Sequence, residues 1–162
     1  MLSLESRRIA AEEGHAAGRS LLKSMYESLL GKPMPAIAVT SRGKPHFVGS
    51  DLYFSISHTK HHVFCALSDR PIGIDAEEQD RNISLNLAQK ILSAHELTQY
   101  TAAEDKRLAL LTFWVLKEAQ AKCDGTGLTG YPNHTSFSLD DPRVFTRDGC
   151  LVAVIEEDDH AV

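Results

Sequence analysis

The stretch from Phe113 to Lys122 constrains the fold of this chain more than any other. At helical spacing Leu111, Trp114, Glu118 and Lys122, with Ala121, fall on one stripe. A core-facing stripe is normally apolar throughout, yet this one passes from leucine and tryptophan to an acid and an amine one turn apart. Two readings are open. Glu118 and Lys122 form an (i, i+4) ion pair on a solvated face, contributing ~0.3 kcal/mol, or the helix carries them into an interior site.

The chain has 162 residues, 43% hydrophobic, enough for one compact domain or two small lobes sharing a core. No apolar run approaches a membrane span, and the N-terminus lacks a signal-peptide apolar region. Cys65, Cys123 and Cys150 are scattered, without a CxxC spacing. Free thiols in a reducing cytoplasm are the expectation, and there the sequon at Asn133-His134-Thr135 goes unused. The net charge of −5 argues against a general nucleic-acid binder. The charge is uneven. Residues 1–60 carry eight Lys+Arg against five Asp+Glu (+3), and residues 61–162 carry nine against seventeen (−8), so one half suits anions and the other cations.

Residues from about Ala10 to Leu30 have a helical apolar face (Leu21, Leu22, Met25, Leu29, Leu30), ended by Gly31-Lys32-Pro33. Ile37–Val39 is a short strand, and Ser41 to Pro45 a turn. Tyr53–Ser57 and Val63–Leu67 are expected to pair as an antiparallel hairpin, and Ile72–Glu77 follows as a third strand. Ser84 is placed to cap a helix over Leu85–Leu92, and Ser93 and Glu96 have capping-box spacing. Thr101 and Glu104 form a further box, read as opening a long helix to about Cys123 that ends at Gly125 or Gly127. The tail reads as strands at Thr135–Leu139, Val144–Thr146 and Cys150–Ile155, the last two joined around Asp148-Gly149. Helix followed by strands thus occurs twice.

In the third strand, period 2 puts Gly73, Asp75 and Glu77 on one face and Ile72, Ile74 and Ala76 on the other. Two carboxylates about 6 Å apart repel by ~3 kcal/mol at an effective dielectric near 20. If partly buried, they call for a cation, a shared proton or a basic neighbour. If exposed, they are an ordinary acidic strand end. Glu118 supplies a third acid, and Asp75, Glu77 and Glu118 suit a hard cation such as Mg²⁺ that shares its sphere with substrate phosphates. Lys122 could then neutralise a phosphate or leaving oxygen, which points to phosphoryl-type transfer. Ser57 and His58 stand at a strand end, where a phosphate contact and a locally bonded turn hydroxyl are equally open readings. His58, His61 and His62 raise zinc, but their spacing fits no usual motif and no cysteine partners them, so zinc is not expected. Lys44, between Gly43 and Pro45, is an exposed turn lysine unless a phosphate comes to it.

Four pieces, in order, carry a family resemblance: Gly43-Lys44-Pro45, Phe54 to Thr59, Ile72 to Glu77, and Trp114 to Lys122. The chain resembles the 4′-phosphopantetheinyl transferases, in particular the two-lobed surfactin-synthetase-activator type. The resemblance implies an α+β, pseudo-dimeric fold of two similar lobes, each a long helix packed on a small antiparallel sheet. The lobes would be a shortened N-terminal one over residues 1–69 and a C-terminal one over residues 70–162 that carries the metal ligands. It implies an enzyme that moves 4′-phosphopantetheine from coenzyme A to a serine of an acyl or peptidyl carrier protein, releasing adenosine 3′,5′-bisphosphate.

By the same resemblance Asp75, Glu77 and Glu118 bind Mg²⁺, and Lys122 stabilises or protonates the leaving phosphate. Ser57 and His58 hold coenzyme A phosphates, and Lys44 with Pro45 sits near the nucleotide end. Glu118 or Glu96 is the base, although Glu96 is also the capping-box partner of Ser93. The region before Gly43 is short for the two-lobed type, and spacing does not select among Arg7, Arg8, Arg19 and Lys23 for the 3′-phosphate. A sheet edge left open there would favour self-association, so a monomer or weak homo-oligomer is expected. Lys117-Glu118-Ala119 and Gly125-Thr126-Gly127 are also similar to the small trimeric carrier-protein synthases. Two other functions fit the same residues: a homologue that binds coenzyme A or a carrier protein without transfer, and a metal-dependent phosphohydrolase.

Overall fold

The computed structural model of the chain describes residues 1–127 and 136–158. In order the elements are β1 (Ser3–Arg8), α1 (Gly14–Leu30), β2 (Ile37–Val39), β3 (Pro45–Phe47), β4 (Tyr53–His58), β5 (His62–Ser68) and β6 (Ile72–Glu78). A 3₁₀ turn (Leu85–Leu87) leads into α2 (Ala88–Ile91), α3 (Ala94–Ala102), α4 (Lys106–Asp124), β7 (Val144–Arg147) and β8 (Cys150–Glu156). Two antiparallel three-stranded sheets, ordered β1-β5-β4 and β6-β8-β7, form the frame, with β2-β3 as a small separate ribbon. The class is α+β.

The strand periodicity sorts side chains into three cores. On β5, Val63, Cys65 and Leu67 turn to Leu21, Leu22, Met25 and Tyr26 of α1, while Phe64 and Ala66 meet Ile72, Ile74 and Ala76 of β6 and Cys150 and Val152 of β8. On β8, Leu151, Ala153 and Ile155 pack with Leu111, Leu116 and Ala119 of α4. The layers therefore run helix, sheet, sheet, helix, with a long helix on the outer face of each sheet. Among the described residues, no helix is long and apolar enough to cross a membrane.

Several expectations need correcting. α1 starts at Gly14 rather than Ala10, because the chain first makes a turn in which Glu13 N–H donates to the Ala10 carbonyl. Ser84 makes no side-chain cap, and the expected helix over Leu85–Leu92 is a 3₁₀ turn and one short α-turn. Thr101 does not open α4; it belongs to α3, and Asp105 caps α4 by accepting from Leu108 N–H at 3.0 Å. Lys106 holds this boundary by donating to the Thr101 and Ala103 carbonyls. Of the strand expected at Thr135–Leu139, Thr135 lies outside the described residues, and Ser136–Leu139 is not a strand. Its backbone is used by α3 instead: Glu96 accepts from Phe137 N–H, and Gln99 bonds Phe137 and Leu139. The sequon, with Asn133 and His134, also lies outside the described residues.

β1 was not foreseen. It pairs with β5 along Ser3↔Leu67 to Arg8↔His62, so β5 is a central strand and exposed Arg7 and Arg8 mark the outer edge. The remaining terminators behave as expected. Gly125 ends α4 with φ 70°, and Asp148 and Gly149, both at positive φ, turn β7 into β8.

Candidate active site

Gly73 decides where β6 and α4 meet. A Cβ there would lie 1.9 Å from the Ala119 carbonyl oxygen and 2.5 Å from Cys123 N, so only glycine permits this approach. The next residues on the same face, Asp75 and Glu77, are thereby delivered to the face of α4 that carries Glu118 and Lys122. The period-2 reading of β6 is correct, and the solvated ion-pair reading of Glu118 and Lys122 is not. Glu118 is 8% exposed, and Lys122 reaches across to β6.

Lys122 Nζ donates to the Ile74 carbonyl at 2.9 Å, to Asp75 Oδ1 at 3.1 Å and, most weakly, to the Ile56 carbonyl at 3.4 Å. Asp75 Oδ1 also accepts from Ser57 Oγ at 3.3 Å, whereas Asp75 Oδ2 is buried with no hydrogen-bond partner. Burial pushes the Asp75 carboxyl above its usual range, partly opposed by the Lys122 charge and hydrogen bond, by Ser57 and by Arg81. Burial and then the Asp75 charge push Glu77 up as well, with Arg81 and the Trp114 indole opposing. Arg81 pairs directly with Glu77.

Ser57 does more than either sequence reading allowed. Its hydroxyl accepts from Ala76 N–H at 3.0 Å while donating to Asp75, and Ser55 likewise accepts from Ile74 N–H at 3.0 Å. The two serines alternate along β4 and join its sheet to the open edge of β6. That alternation was visible in the sequence. The hydroxyl donor of Ser57, of which there is one, is committed to Asp75 rather than turned to solvent.

A cavity of about 390 Å³ opens beside these groups, lined by Glu118, Lys122, His58, Lys44 and Pro45, and also by Ser55, His15, Arg19 and Arg42. Lys44 is not an ordinary turn lysine. Its Nζ donates to the Cys123 carbonyl at 2.8 Å in the last turn of α4, and burial pulls its ammonium below the usual lysine range. His58 is exposed at the end of β4, packed so closely on the start of α1 that a Cβ at Gly14 would meet its ring at 2.4 Å. His15, Arg19 and Arg42 carried no motif signal; only folding brings them here, whereas Arg81 stands four residues beyond its partner Glu77.

Glu96 stands apart from the cavity lining. It is fully buried; Oε1 accepts from Ser93 N–H at 2.8 Å and pairs with Lys117 Nζ at 2.8 Å, and Oε2 accepts from Phe137 N–H at 2.9 Å. The capping-box reading of Ser93 and Glu96 is correct. The expectation that no cysteine partners the histidines is overturned, because Cys150 Sγ lies 3.6 Å from His62 Nδ1.

The sequence model of the 4′-phosphopantetheinyl transferase superfamily matches residues 71–153. This chain belongs to that superfamily. The match spans Asp75, Glu77, Glu96, Glu118 and Lys122 of this superfamily member, whereas Lys44, Pro45, Ser57 and His58 lie before it. It is similar to the 4′-phosphopantetheinyl transferase gsp of Aneurinibacillus migulanus, 34% identical over 100 residues, covering 60% of this chain and 40% of gsp. It is 33% identical over 122 residues to HetI of Nostoc sp. (69% of this chain, 52% of HetI). It is 31% identical over 119 residues to Sfp of Bacillus subtilis (72% of this chain, 52% of Sfp). All three relatives are named 4′-phosphopantetheinyl transferases, and the chain spans about half the length of the relatives it matches.

Proposed function

We propose that this superfamily member transfers 4′-phosphopantetheine from coenzyme A to a serine of an acyl or peptidyl carrier protein, releasing adenosine 3′,5′-bisphosphate. The observation that carries this reading is the buried, partnerless Asp75 Oδ2, paired through its other oxygen with Lys122, which lines a cavity that also holds Arg19, Arg42 and Lys44. A buried carboxylate oxygen without a partner is costly. A hard cation with oxygen ligands would satisfy it, and Asp75, Glu77 and Glu118 supply the donor type that Mg²⁺ takes, although as they stand their oxygens do not all lie within 4.8 Å of one another and Glu77 is paired with Arg81. When bound, the ion would supply Lewis-acid neutralisation of the pyrophosphate charge.

The chain's own groups do the rest. His58 and Lys44, with His15, Arg19 and Arg42 around them, bind and orient the coenzyme A phosphates in the cavity. The carrier serine oxygen forms a bond to the β-phosphorus as the bond to the adenosine bisphosphate oxygen breaks. The serine proton passes to the Glu118 carboxylate, which lines the cavity as Glu96 does not. Lys122 turns the donor it holds weakly on Ile56 toward the leaving oxygen. Ser57 positions Asp75. Residues 1–69 and 70–162 act as the two lobes of one site, in a cytoplasmic protein. Mass spectrometry of an apo carrier protein incubated with the chain, coenzyme A and Mg²⁺ tests the proposal. One added phosphopantetheine supports it. Coenzyme A binding without any adduct on several carriers indicates a binding homologue instead, and coenzyme A breakdown without carrier indicates a hydrolase.

A further inference from the structure

We propose that His62, Glu78 and Cys150 form a second metal site, for zinc, on the opposite face of β6 from Asp75 and Glu77. The three residues begin β5, end β6 and begin β8, and Glu78 and Cys150 are direct cross-strand partners. Period 2 points all three into the end of the core between the sheets, in line with Phe64, Ala76 and Val152. Cys150 is fully buried, and the His62 and Glu78 side chains are 13% and 21% exposed.

The spacing fits zinc. His62 Nδ1 lies 3.4 Å from Glu78 Oε1, and Cys150 Sγ lies 3.6 Å from His62 Nδ1 and from the other Glu78 oxygen, Oε2. With one ligand atom taken from each residue, the three lie within 4.8 Å of one another, and a small carboxylate rotation completes the set. Tetrahedral zinc with its usual S, N and O bond lengths sets ligand atoms about 3.3–3.6 Å apart. The donor set also selects. Thiolate, imidazole and carboxylate together suit zinc and not Mg²⁺, which takes oxygen. Charge closes as well, because one thiolate and one carboxylate neutralise a divalent ion, the state a mostly buried site requires. On binding, Cys150 loses its thiol proton to solvent, and His62 coordinates through Nδ1 with its proton on Nε2. The fourth position faces the exposed side of His62 and Glu78 and takes water. The ion then ties the first sheet, through β5, to β6 and β8 of the second.

The test uses the tag-free 162-residue chain, stripped with chelator and titrated with Co²⁺ and then Zn²⁺ in excess Mg²⁺. The account expects a thiolate-to-cobalt absorption band with tetrahedral visible bands, one zinc per chain, proton release, and a rise in Tm. Cys150→Ser and His62→Gln should each weaken zinc binding at least tenfold, while Asp75→Asn leaves it unchanged. If Cys150→Ser does not fold, His62→Gln, at a partly exposed position, carries the comparison. Absence of the thiolate band, or zinc lost only in Asp75→Asn, overturns the proposal.

Discussion

Lys122 Nζ lies 3.1 Å from Asp75 Oδ1, a contact between the last turn of α4 and the edge strand β6. It spans 47 residues of sequence, and it converts a helix-surface amine into part of a buried polar cluster. The Asp75 side chain is 9% exposed and Lys122 34%, so solvent reaches the amine end of the pair and not the other carboxylate oxygen. The site thus keeps one acid oxygen buried and unsatisfied behind Lys122, which does line the cavity, at some cost in stability.

That cost has a pH signature. A buried acid whose pKa is raised opposes folding once it is ionised. The penalty is absent below the unfolded value of about 4 and grows as pH rises through the folded one. Asp75 is raised by burial despite Lys122, so Asp75→Asn should match or exceed the parent in stability at pH 7. It should lose that advantage as pH falls to about 3. Urea midpoints of both proteins at the two pH values check this. Glu78 and Asp141, held below their usual range, act in the opposite sense in both proteins and cancel in the comparison.

Gly73 sets the distance between strand and helix. Gly73→Ala should cost about 3 kcal/mol, because the methyl meets α4 backbone rather than a movable side chain. It should also reduce transfer by folded protein, since Asp75 and Glu77 move with β6. Denaturant unfolding alongside initial rates measures both. Unchanged stability would show that β6 and α4 do not make this contact.

The legible parts of the fold were those set by short-range chemistry. The alternation through Ile72–Glu78, the Ser93–Glu96 box, the Gly125 terminator and the Asp148-Gly149 turn each need only a few neighbours. β1 was hidden because Ser3 to Arg8 is a mostly polar outer strand with one apolar residue, Leu4, packed on the intersheet core. The start of α4 was misread because Thr101-Glu104 and Asp105 offer competing caps, and Lys106 settles the choice through α3 carbonyls. In the site, acids on one strand face were visible. The Lys122–Asp75 contact and the meeting of His62 with Cys150 depend on tertiary packing that no local pattern encodes, whereas the Arg81 pair with Glu77 spans only four residues.

Glu96 and Lys117 form a 2.8 Å ion pair that is almost completely buried. Lys117→Met strands the carboxylate and should cost about 3–5 kcal/mol. Glu96→Gln should lower Tm while folded protein keeps most of its transfer rate. Loss of rate with Tm unchanged in Glu96→Gln would make Glu96 the base and remove Glu118 from that role.

The most direct measurement is the initial rate of carrier-protein modification, followed by mass spectrometry across a Mg²⁺ titration, for the parent chain, Asp75→Asn and Glu118→Gln. The account predicts Mg²⁺-dependent addition of one phosphopantetheine by the parent chain. It predicts at least a hundredfold loss in both variants, each still folded by circular dichroism. Parental rates in either variant, or an unmodified carrier with the parent chain across several carrier proteins, would contradict it.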